Sequence, residues 1–276
     1  MPLTRTLEIA VMHRTPLSIA AAGMLAIGCS PPAADAPPQG AKRIVDLTHA
    51  YDGDTVYWPT DTRGFQLEVL ASGETEGGYF YSANAFCTAE HGGTHMDAPI
   101  HFSADGLAVS DVPLEDLVGP GVVIDVSAQA AKDSDYRLAM ADVERHEAEH
   151  GRIADGSIVL LRTGWSRRWP DALAYLGDDT PGDASNLSFP SYGEEAARFL
   201  IEERGAPVLG IDTASIDYGR STDFPVHRVA AARQVSGLEN LTNLDALPAY
   251  GFTVVALPMK IAGGSGGPVR VIAMTE

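Results

Sequence analysis

Cysteine is almost absent from this chain of 276 residues, which contains only Cys29 and Cys87. Two cysteines can build neither a disulfide framework nor a site of several thiolate ligands. Histidine and carboxylate groups are therefore the side chains left to bind a metal ion. For Cys87 we predict a small, buried apolar residue.

Basic residues are also scarce, with 19 lysines and arginines against 37 acidic residues and a net charge of −18. A surface of this sign repels the phosphates of nucleic acids and of anionic lipids. We therefore expect no nucleic-acid partner, and contact with a membrane only through a lipid anchor. The length is sufficient for one sizeable hydrophobic core.

Two glycine-rich phosphate-binding motifs are missing as well. The stretch 261–267 matches neither of them, because no Gly-Lys-Ser/Thr and no Gly-x-Gly-x-x-Gly before a helix occurs there. We also expect no Gly-x-Ser-x-Gly nucleophile elbow, which disfavours a serine hydrolase.

The N-terminus has the features of an export signal. Arg5 and Arg14 accompany the uncharged run 15–28, which is too short to span a bilayer but has the length of a signal-peptide core. Ala26-Ile27-Gly28-Cys29 resembles the lipobox of bacterial lipoproteins. We therefore predict export, to the periplasm or to a membrane surface through lipid on Cys29. An ordinary secretory signal is the alternative.

Three segments follow from this interpretation. Residues 1–28 are expected to be a signal peptide of the lipoprotein type, 29–42 a flexible tether, and 43–276 the folded domain. Labelled palmitate that is incorporated into the wild type and absent from Cys29→Ala is the result we expect for the lipid anchor.

Apolar periodicity predicts a series of short strands and two helices. A turn at 73–78 should join two of the strands as a hairpin, and the order strand, helix, strand indicates βαβ units. Strands are expected at 44–48, 65–71, 79–85, 121–127, 157–162, 208–212, 252–257 and 269–274, and helices at 138–150 and 192–204.

Three of the eight histidines and one carboxylate lie within eleven residues, at His91, His95, Asp97 and His101. Imidazole nitrogen and carboxylate oxygen are ligands that zinc and manganese accept. In a straight strand His91 and Asp97 would be about 20 Å apart, too far to share an ion. We expect the intervening glycines to bend the chain around the ion.

Further candidate ligands lie elsewhere in the chain. Glu239 lies in a mostly apolar stretch, where a carboxylate is costly to bury unless it is paired or bound to metal. His227 is a second candidate, although a lone histidine beside an arginine is more often structural. His146 and His150 have a helical spacing that can ligate metal, but we expect them on a solvated face because acidic residues surround them.

The stretch HGGTHMDAPIHF (91–102) resembles the HxGTHxDxPxH signature of the bacterial cyclase-like metal hydrolases, which include kynurenine formamidases and isatin hydrolases. The resemblance covers residues 43–276 and implies a single α/β domain with a mixed β-sheet core and flanking helices, of the swivelling β/β/α type, and a homodimer. Its other segments follow in family order: DLTH (46–49), Trp58-Pro59, LLRTGW (160–165), LGIDTASID (209–217), FPVHR (224–228), ENLTNL (239–244) and PMKIAGGSGGPVRV (258–271).

The family resemblance implies a role for each matching residue. His91, His95 and Asp97 match one set of metal ligands. His227 and Glu239 match the ligands of a second ion, and His101 matches a histidine that transfers protons. One or two divalent ions, Zn²⁺ or Mn²⁺, are therefore expected per chain.

The predicted function is that of a metal-dependent amidohydrolase, which cleaves an amide C–N bond of a small aryl formamide resembling N-formylkynurenine with metal-activated water. His101 would protonate the departing nitrogen. Tyr57, Trp58 and Phe65 would form an aromatic wall for the substrate, although Trp58 could equally be a core residue. Two alternatives stay open: opening of a cyclic amide of the isatin type, and a lipoprotein that binds a metal or ligand without catalysis.

Overall fold

The structure is a computed structural model that describes residues 43–275. The predicted signal peptide, the lipobox with Cys29 and the tether all lie outside these residues, so they stay predictions. Among the described residues, no helix combines the length and apolar character needed to cross a bilayer.

Twelve strands account for the β-structure of the described chain. Every strand expected from the apolar pattern is present, with ends that differ from the prediction by a few residues. The strands are β1 Arg43–Asp46, β2 Gln66–Glu74, β3 Phe80–Cys87, β4 His95–Asp97, β5 Val118–Asp125, β6 Arg137–Leu138, β7 Ile158–Arg162, β8 Ser191–Tyr192, β9 Val208–Ile211, β10 Ser236–Glu239, β11 Phe252–Pro258 and β12 Gly266–Thr275.

Eight of these strands form one mixed sheet in the order β1-β12-β11-β5-β7-β9-β10-β4. Strands β5, β7, β9 and β10 run parallel to one another, as the βαβ prediction requires. Strand β4 pairs antiparallel with β10 and also with the start of β12, and this second pairing closes the sheet on itself. The barrel-like closure leaves β4, which carries two of the predicted metal ligands, without a free edge.

The parallel strands bury both of their faces because alternate residues enter two separate hydrophobic clusters. Val159 and Leu161 of β7 pack under the helices, whereas Ile158 and Leu160 face the inside of the closed sheet. All four are completely buried. Burial of each such side chain stabilises the fold by roughly 1.5–3 kcal/mol. The continuous apolar run in the sequence reflects this two-sided burial.

Within residues 43–275, six helices flank the sheet or connect its strands. They confirm the helices expected at 138–150 and 192–204, and with the closed sheet they confirm a single mixed α/β domain. The helices are α1 Leu114–Leu117, α2 Ser127–Ala130, α3 Met140–His150, α4 Ala172–Leu176, α5 Glu194–Glu202 and α6 Pro225–Ala232, and 3₁₀ turns occur at Pro99–His101, Trp165–Arg168 and Leu244–Ala246.

The predicted hairpin is present as β2 and β3, but it pairs with no other strand of the described chain. Its side chains are mostly exposed on both faces. For this reason the prediction that Cys87 is buried is wrong: Cys87 ends β3 as an exposed free cysteine. The alternating pattern that indicated a strand did not reveal that no described element covers the hairpin.

A second correction concerns the histidines of α3. His150 is exposed as predicted, but His146 is buried, with 8% of its surface accessible. Burial lowers the pKa of His146, and the neighbouring His150 adds to this effect. His146 thus packs as a neutral ring on the inner side of the helix.

Candidate active site

The bend predicted within the histidine cluster occurs at two adjacent glycines. Gly93 has a left-handed backbone with φ of 57°, which glycine adopts without strain. A Cβ atom there would lie 2.6 Å from the ring of Tyr51, and one at Gly92 would overlap the ring of Tyr57. Because the backbone turns at these positions, the Nδ1 atom of His91 comes to 2.6 Å from Oδ1 of Asp97.

Strand pairing brings Glu239 to the cluster. His95 of β4 lies directly opposite Glu239 of β10, and Asp97 lies opposite Gly237. Directly paired residues of antiparallel strands project from the same face of the sheet. A Cβ at Gly237 would approach Oδ2 of Asp97 to 3.2 Å, so the glycine leaves room for this carboxylate. His95, Asp97 and Glu239 are each buried, with 3–5% of their surface accessible.

Helix α6 brings His227 into the same group. Its first turn is held by Asp217, whose carboxylate accepts the backbone N–H groups of Val226 and His227 at 2.9 and 3.0 Å. The same carboxylate lies 2.7 Å from Nδ1 of His227. Asp217 is 1% exposed and received no role from the sequence. It fixes both the start of the helix and the orientation of the imidazole.

The polarity of these hydrogen bonds defines which imidazole nitrogens are free. His95 donates Nδ1–H to the carbonyl oxygen of Gly93 at 3.0 Å, and His227 donates Nδ1–H to Asp217. Each ring therefore presents its Nε2 lone pair to the carboxylates. Nε2 of His95 is 3.2 Å from Asp97, and Nε2 of His227 is 3.2 Å from Asp97 and 3.3 Å from Glu239.

A lone pair that faces a carboxylate oxygen at this distance needs a proton or a cation between the two atoms. Burial opposes charge on His95, but Asp97 and Glu239 overcome it and raise the pKa of His95 to about 9. Burial would likewise raise the pKa of Asp97, yet the surrounding imidazoles hold it well below its usual value. For Glu239, burial and repulsion from Asp97 raise the pKa.

The same donor set fits a divalent metal ion. One ligand atom from each of His95, Asp97 and Glu239 lies within 4.8 Å of the others, and the same holds for His91, Asp97 and His101. Neutral imidazole and carboxylate are the ligand types that zinc and manganese prefer. The predicted ligands from distant parts of the sequence are therefore assembled in one place.

His101 lies at the end of the 3₁₀ turn Pro99–His101, beside the ligand group. Its ring stacks on that of His91, with centroids 3.8 Å apart and an interplanar angle of 16°. The side chain opens to the cavity, but the surrounding walls exclude enough water to lower its pKa to about 4 against the attraction of Asp97. His101 can thus meet a substrate as a neutral imidazole, although its position beside Asp97 also allows it to bind metal.

These groups lie in the wall of a cavity of about 550 Å³. This size is typical of sites for small molecules. Tyr57 and Trp58 line the cavity as predicted, and Trp58 also packs edge-to-face against the buried Phe189, so it is both wall and core. Phe65 is not part of the lining; its ring packs against Tyr51 and Phe86. Phe102 and Phe224 complete the aromatic surface, which the sequence did not indicate.

One sequence expectation about this region is wrong. Residues 263–267 read Gly-Gly-Ser-Gly-Gly and match the Gly-x-Ser-x-Gly pattern that we expected to be absent. The serine, Ser265, lies 2.8 Å from Nε2 of His91. The segment continues directly into strand β12, which begins at Gly266, and not into a helix, so it is not the strand-turn-helix elbow of serine hydrolases.

The chain is similar to known proteins over most of its length. Residues 45–218 match the family model described as "Putative cyclase". The chain is 34% identical over 250 residues to an isatin hydrolase of Roseibium aggregatum, covering 85% of this chain and 92% of the relative. It is 28% identical over 231 residues to a kynurenine formamidase of Salinibacter ruber, covering 83% and 96%.

Solved structures show the same fold. Isatin hydrolase A from Ralstonia solanacearum superposes with a TM-score of 0.78 at 35% identity, covering 86% of this chain and 94% of the other. A protein described as a potential metal-dependent hydrolase with cyclase activity superposes with a TM-score of 0.63 at 26% identity, covering 86% and 99%. This chain therefore belongs to the putative cyclase family, and its relatives in that family are hydrolases.

Proposed function

We propose that the protein is a metal-dependent hydrolase of an amide C–N bond in a small aromatic substrate. The observation that carries this proposal is the convergence of five side chains from β4, the bend before it, α6 and β10, whose acceptor atoms face one another beside an aromatic-walled cavity. The proposed ligands are His91, His95, Asp97, His227 and Glu239. A divalent ion held there, zinc or manganese, supplies polarisation of the amide carbonyl and a lower pKa for water.

The protein's own residues orient the substrate and handle the proton. Tyr57 and Trp58 offer flat apolar surfaces against which an aromatic ring can stack, and this places the amide toward the ligand group. Water adds to the carbonyl carbon as the C–N bond breaks, and His101 accepts a proton from the water and returns it to the departing nitrogen. The products are a carboxylic acid and an amine.

Two substrate types suit this chemistry. A cyclic amide of the isatin type is favoured because the isatin hydrolase relatives share more sequence with the chain than the kynurenine formamidase does. An aryl formamide such as N-formylkynurenine is the second candidate, since the same proton transfer to an aryl nitrogen applies. Ring opening gives one product, whereas deformylation releases formate, so the two reactions are distinguished by product analysis.

A direct test measures turnover of isatin and of N-formylkynurenine by the purified protein, with zinc or manganese present and after removal by a chelator. We expect turnover of one of them that is lost on chelation and restored by metal. Tight metal binding without hydrolysis of either compound or of a wider amide panel would instead favour the non-catalytic alternative. His150→Ala, on the exposed end of α3, is the control for substitution of His101 and should retain full activity.

We also propose that the chain forms a homodimer through the β2–β3 hairpin. Leu67, Phe80 and Phe86 share one face of this hairpin and are 58%, 64% and 53% exposed. An exposed apolar patch of this kind is typical of a protein interface. A second copy of the chain would cover the patch and pair with the unpaired edge strands.

A further inference from the structure

The glycine-rich loop that the phosphate-binding motifs did not explain makes a specific contact with the ligand His91. Ser265, at its centre, donates its backbone N–H to Oε2 of Glu90 at 3.0 Å. Its hydroxyl oxygen lies 2.6 Å from the same carboxylate oxygen and 2.8 Å from Nε2 of His91. A chain of hydrogen bonds therefore runs from Glu90 through Ser265 to His91.

The direction of this chain follows from the number of protons available. A carboxylate can only accept, so the single hydroxyl proton of Ser265 points to Glu90. The oxygen of Ser265 is then an acceptor, and His91 must donate Nε2–H to it. His91 consequently carries its proton on Nε2, and its Nδ1 lone pair faces Oδ1 of Asp97 at 2.6 Å. As in His95 and His227, the ring nitrogen that carries no proton therefore faces a carboxylate oxygen.

The two glycines that flank Ser265 make this close approach possible. A Cβ atom at Gly266 would lie 2.6 Å from Cε1 of His91 and would overlap the carbonyl oxygen of Met96. A Cβ at Gly264 would lie 2.8 Å from Oε1 of Glu90. The backbone is also fixed in place, since the carbonyl oxygen of Ser265 accepts the N–H of Ala98 at 2.9 Å. The loop is thus shaped to hold one hydroxyl between Glu90 and His91.

The contacts of His91 with Ser265 and Asp97 have the connectivity of a serine protease triad, but two observations argue against a nucleophilic serine. Ser265 is not among the residues that line the cavity, so its oxygen has no direct path to the substrate. Its proton is also directed to Glu90, whereas a nucleophile must give its proton to histidine.

We propose that Glu90 and Ser265 are positioning residues that fix His91 in the tautomer whose Nδ1 is free for a metal ion. Partners of this type orient a ligand and set its proton, and their loss typically weakens metal affinity by about 10–100-fold. The inference rests on the proposed function, because the tautomer of His91 matters only if a metal ion binds there. The tautomer itself can be measured in metal-free protein, so failure of the two proposals can be told apart.

The first experiment records the side-chain ¹⁵N chemical shifts of His91 in metal-free protein labelled on histidine. We expect Nε2 of His91 to carry a proton in the wild type, whether or not Nδ1, which faces Asp97, is protonated as well. In Ser265→Ala we expect a population in which Nε2 carries no proton, because the acceptor for Nε2–H is gone. Ser134→Ala, which removes an exposed hydroxyl far from His91 in the sequence, is the control and should leave the wild-type shifts unchanged. A dominant Nδ1–H tautomer in the wild type would overturn the proposal.

The second experiment measures zinc affinity by competition with a chelator, together with kcat and KM on the substrate that is turned over. Ser265→Ala and Glu90→Ala should each weaken zinc binding by about 10–100-fold, and Ser265→Thr, which keeps the hydroxyl, should restore most of the affinity. Glu68→Ala on the exposed hairpin is the control for Glu90→Ala. Thermal unfolding of each variant verifies that it is folded. If Ser265→Ala does not fold, the zinc affinity of Ser265→Thr is compared with that of the wild type instead.

The outcomes separate positioning from nucleophilic catalysis. If Ser265 positions His91, kcat of Ser265→Ala at saturating zinc recovers toward the wild-type value. If Ser265 is a nucleophile, kcat stays abolished at saturating zinc while zinc affinity is unchanged, and the proposal is overturned. Unchanged affinity and unchanged kcat in both variants would overturn it as well.

Discussion

Strand β4 and the β2–β3 hairpin depart from the ordinary arrangement of a globular protein in opposite directions. Strand β4 is completely buried although two of its three residues, His95 and Asp97, are ionisable. The hairpin is almost fully exposed although it carries large apolar side chains such as Val69 and Phe80. A buried polar group and an exposed apolar patch are the two observations that indicate function, since each is costly without a partner.

The two regions differ in how far other residues of the chain offset the free-energy cost of burying polar groups or exposing apolar ones. In β4 the polar groups already have partners, because Gly93 accepts from His95 and three imidazoles surround Asp97. The nitrogen and oxygen atoms that face one another there need a proton or a metal cation between them. In the hairpin no described element covers the apolar side chains. We therefore expect an ion to bind in the first region and a protein surface to cover the second.

The largest expected effect is at the centre of the buried site. Asp97→Asn keeps the shape of the side chain but removes the charge that faces His91, His95 and His227. We expect metal affinity to fall by about 100-fold or more, because loss of one partner from a buried charged set costs about 3–5 kcal/mol. Metal content after dialysis measures this. Asp125→Asn, in a partly exposed pair with Arg162, is the control, and equal metal content in both variants would refute the assignment.

His101→Ala should separate catalysis from metal binding within the same region. Loss of a proton-transfer group typically lowers kcat by about 10²–10⁴-fold. We expect this decrease with unchanged metal content, measured beside His150→Ala. Because His101 also groups with His91 and Asp97, a loss of metal in His101→Ala would instead identify it as a ligand.

Substitutions in the hairpin should change the oligomeric state of the protein and leave its catalytic activity unchanged. The double variant Leu67→Ser/Phe80→Ser removes two apolar side chains that share one face, each contributing about 1.5–3 kcal/mol if buried in a dimer. We expect the dimer to dissociate at concentrations where the wild type stays dimeric, as measured by light scattering after gel filtration. Leu173→Ser, at a similarly exposed leucine of α4, should leave the mass unchanged. A wild-type mass equal to one chain would disprove the interface.

The smallest effect is expected at the partly buried ion pair of Arg204 with Glu147, outside both regions, which serves as the reference for them. Hydrogen bonds from Arg204 lower the pKa of Glu147 below its usual 4.5. A lowered folded-state pKa stabilises the fold above pH 4.5, and this contribution disappears as pH falls through the folded-state value. Glu147→Gln should therefore cost about 1 kcal/mol or less at pH 7 and nothing at low pH.

Chemical denaturation at both pH values measures the effect of Glu147→Gln. Glu144→Gln, an exposed residue on the same helix, is the control and should change stability at neither pH. A cost for Glu147→Gln that persists below the folded-state pKa would contradict the attribution to charge.

The regular elements were predictable because their signal is local. Runs such as Ser157 to Arg162 reveal a buried strand through their own composition, and the structure has β7 there. Exposure of the hairpin was not predictable in this way. A strand covered on one face and a strand covered on neither have the same alternation, and Cys87 was misplaced for this reason.

The candidate site divides along the same line. Two residues of β4 and the bend before it could be recognised in one short stretch, whereas His227 and Glu239 depended on family resemblance because their meeting with β4 is a long-range contact. Asp217 and Glu90 were missed, since a carboxylate among 37 acidic residues carries no local sign that it orients a histidine. Their roles follow from strand register and from the polarity of hydrogen bonds, neither of which can be deduced from the sequence.

The central claim is that the buried acceptors of β4 and its neighbours hold a divalent ion. The most direct measurement is a crystal structure of the protein grown with zinc, with diffraction recorded on both sides of the zinc absorption edge. We expect an anomalous peak among His91, His95, Asp97, His227 and Glu239, from an ion bound through Nδ1 of His91 and Nε2 of the other two histidines. An empty site at saturating zinc, with protons between these nitrogens and carboxylates instead, would contradict it.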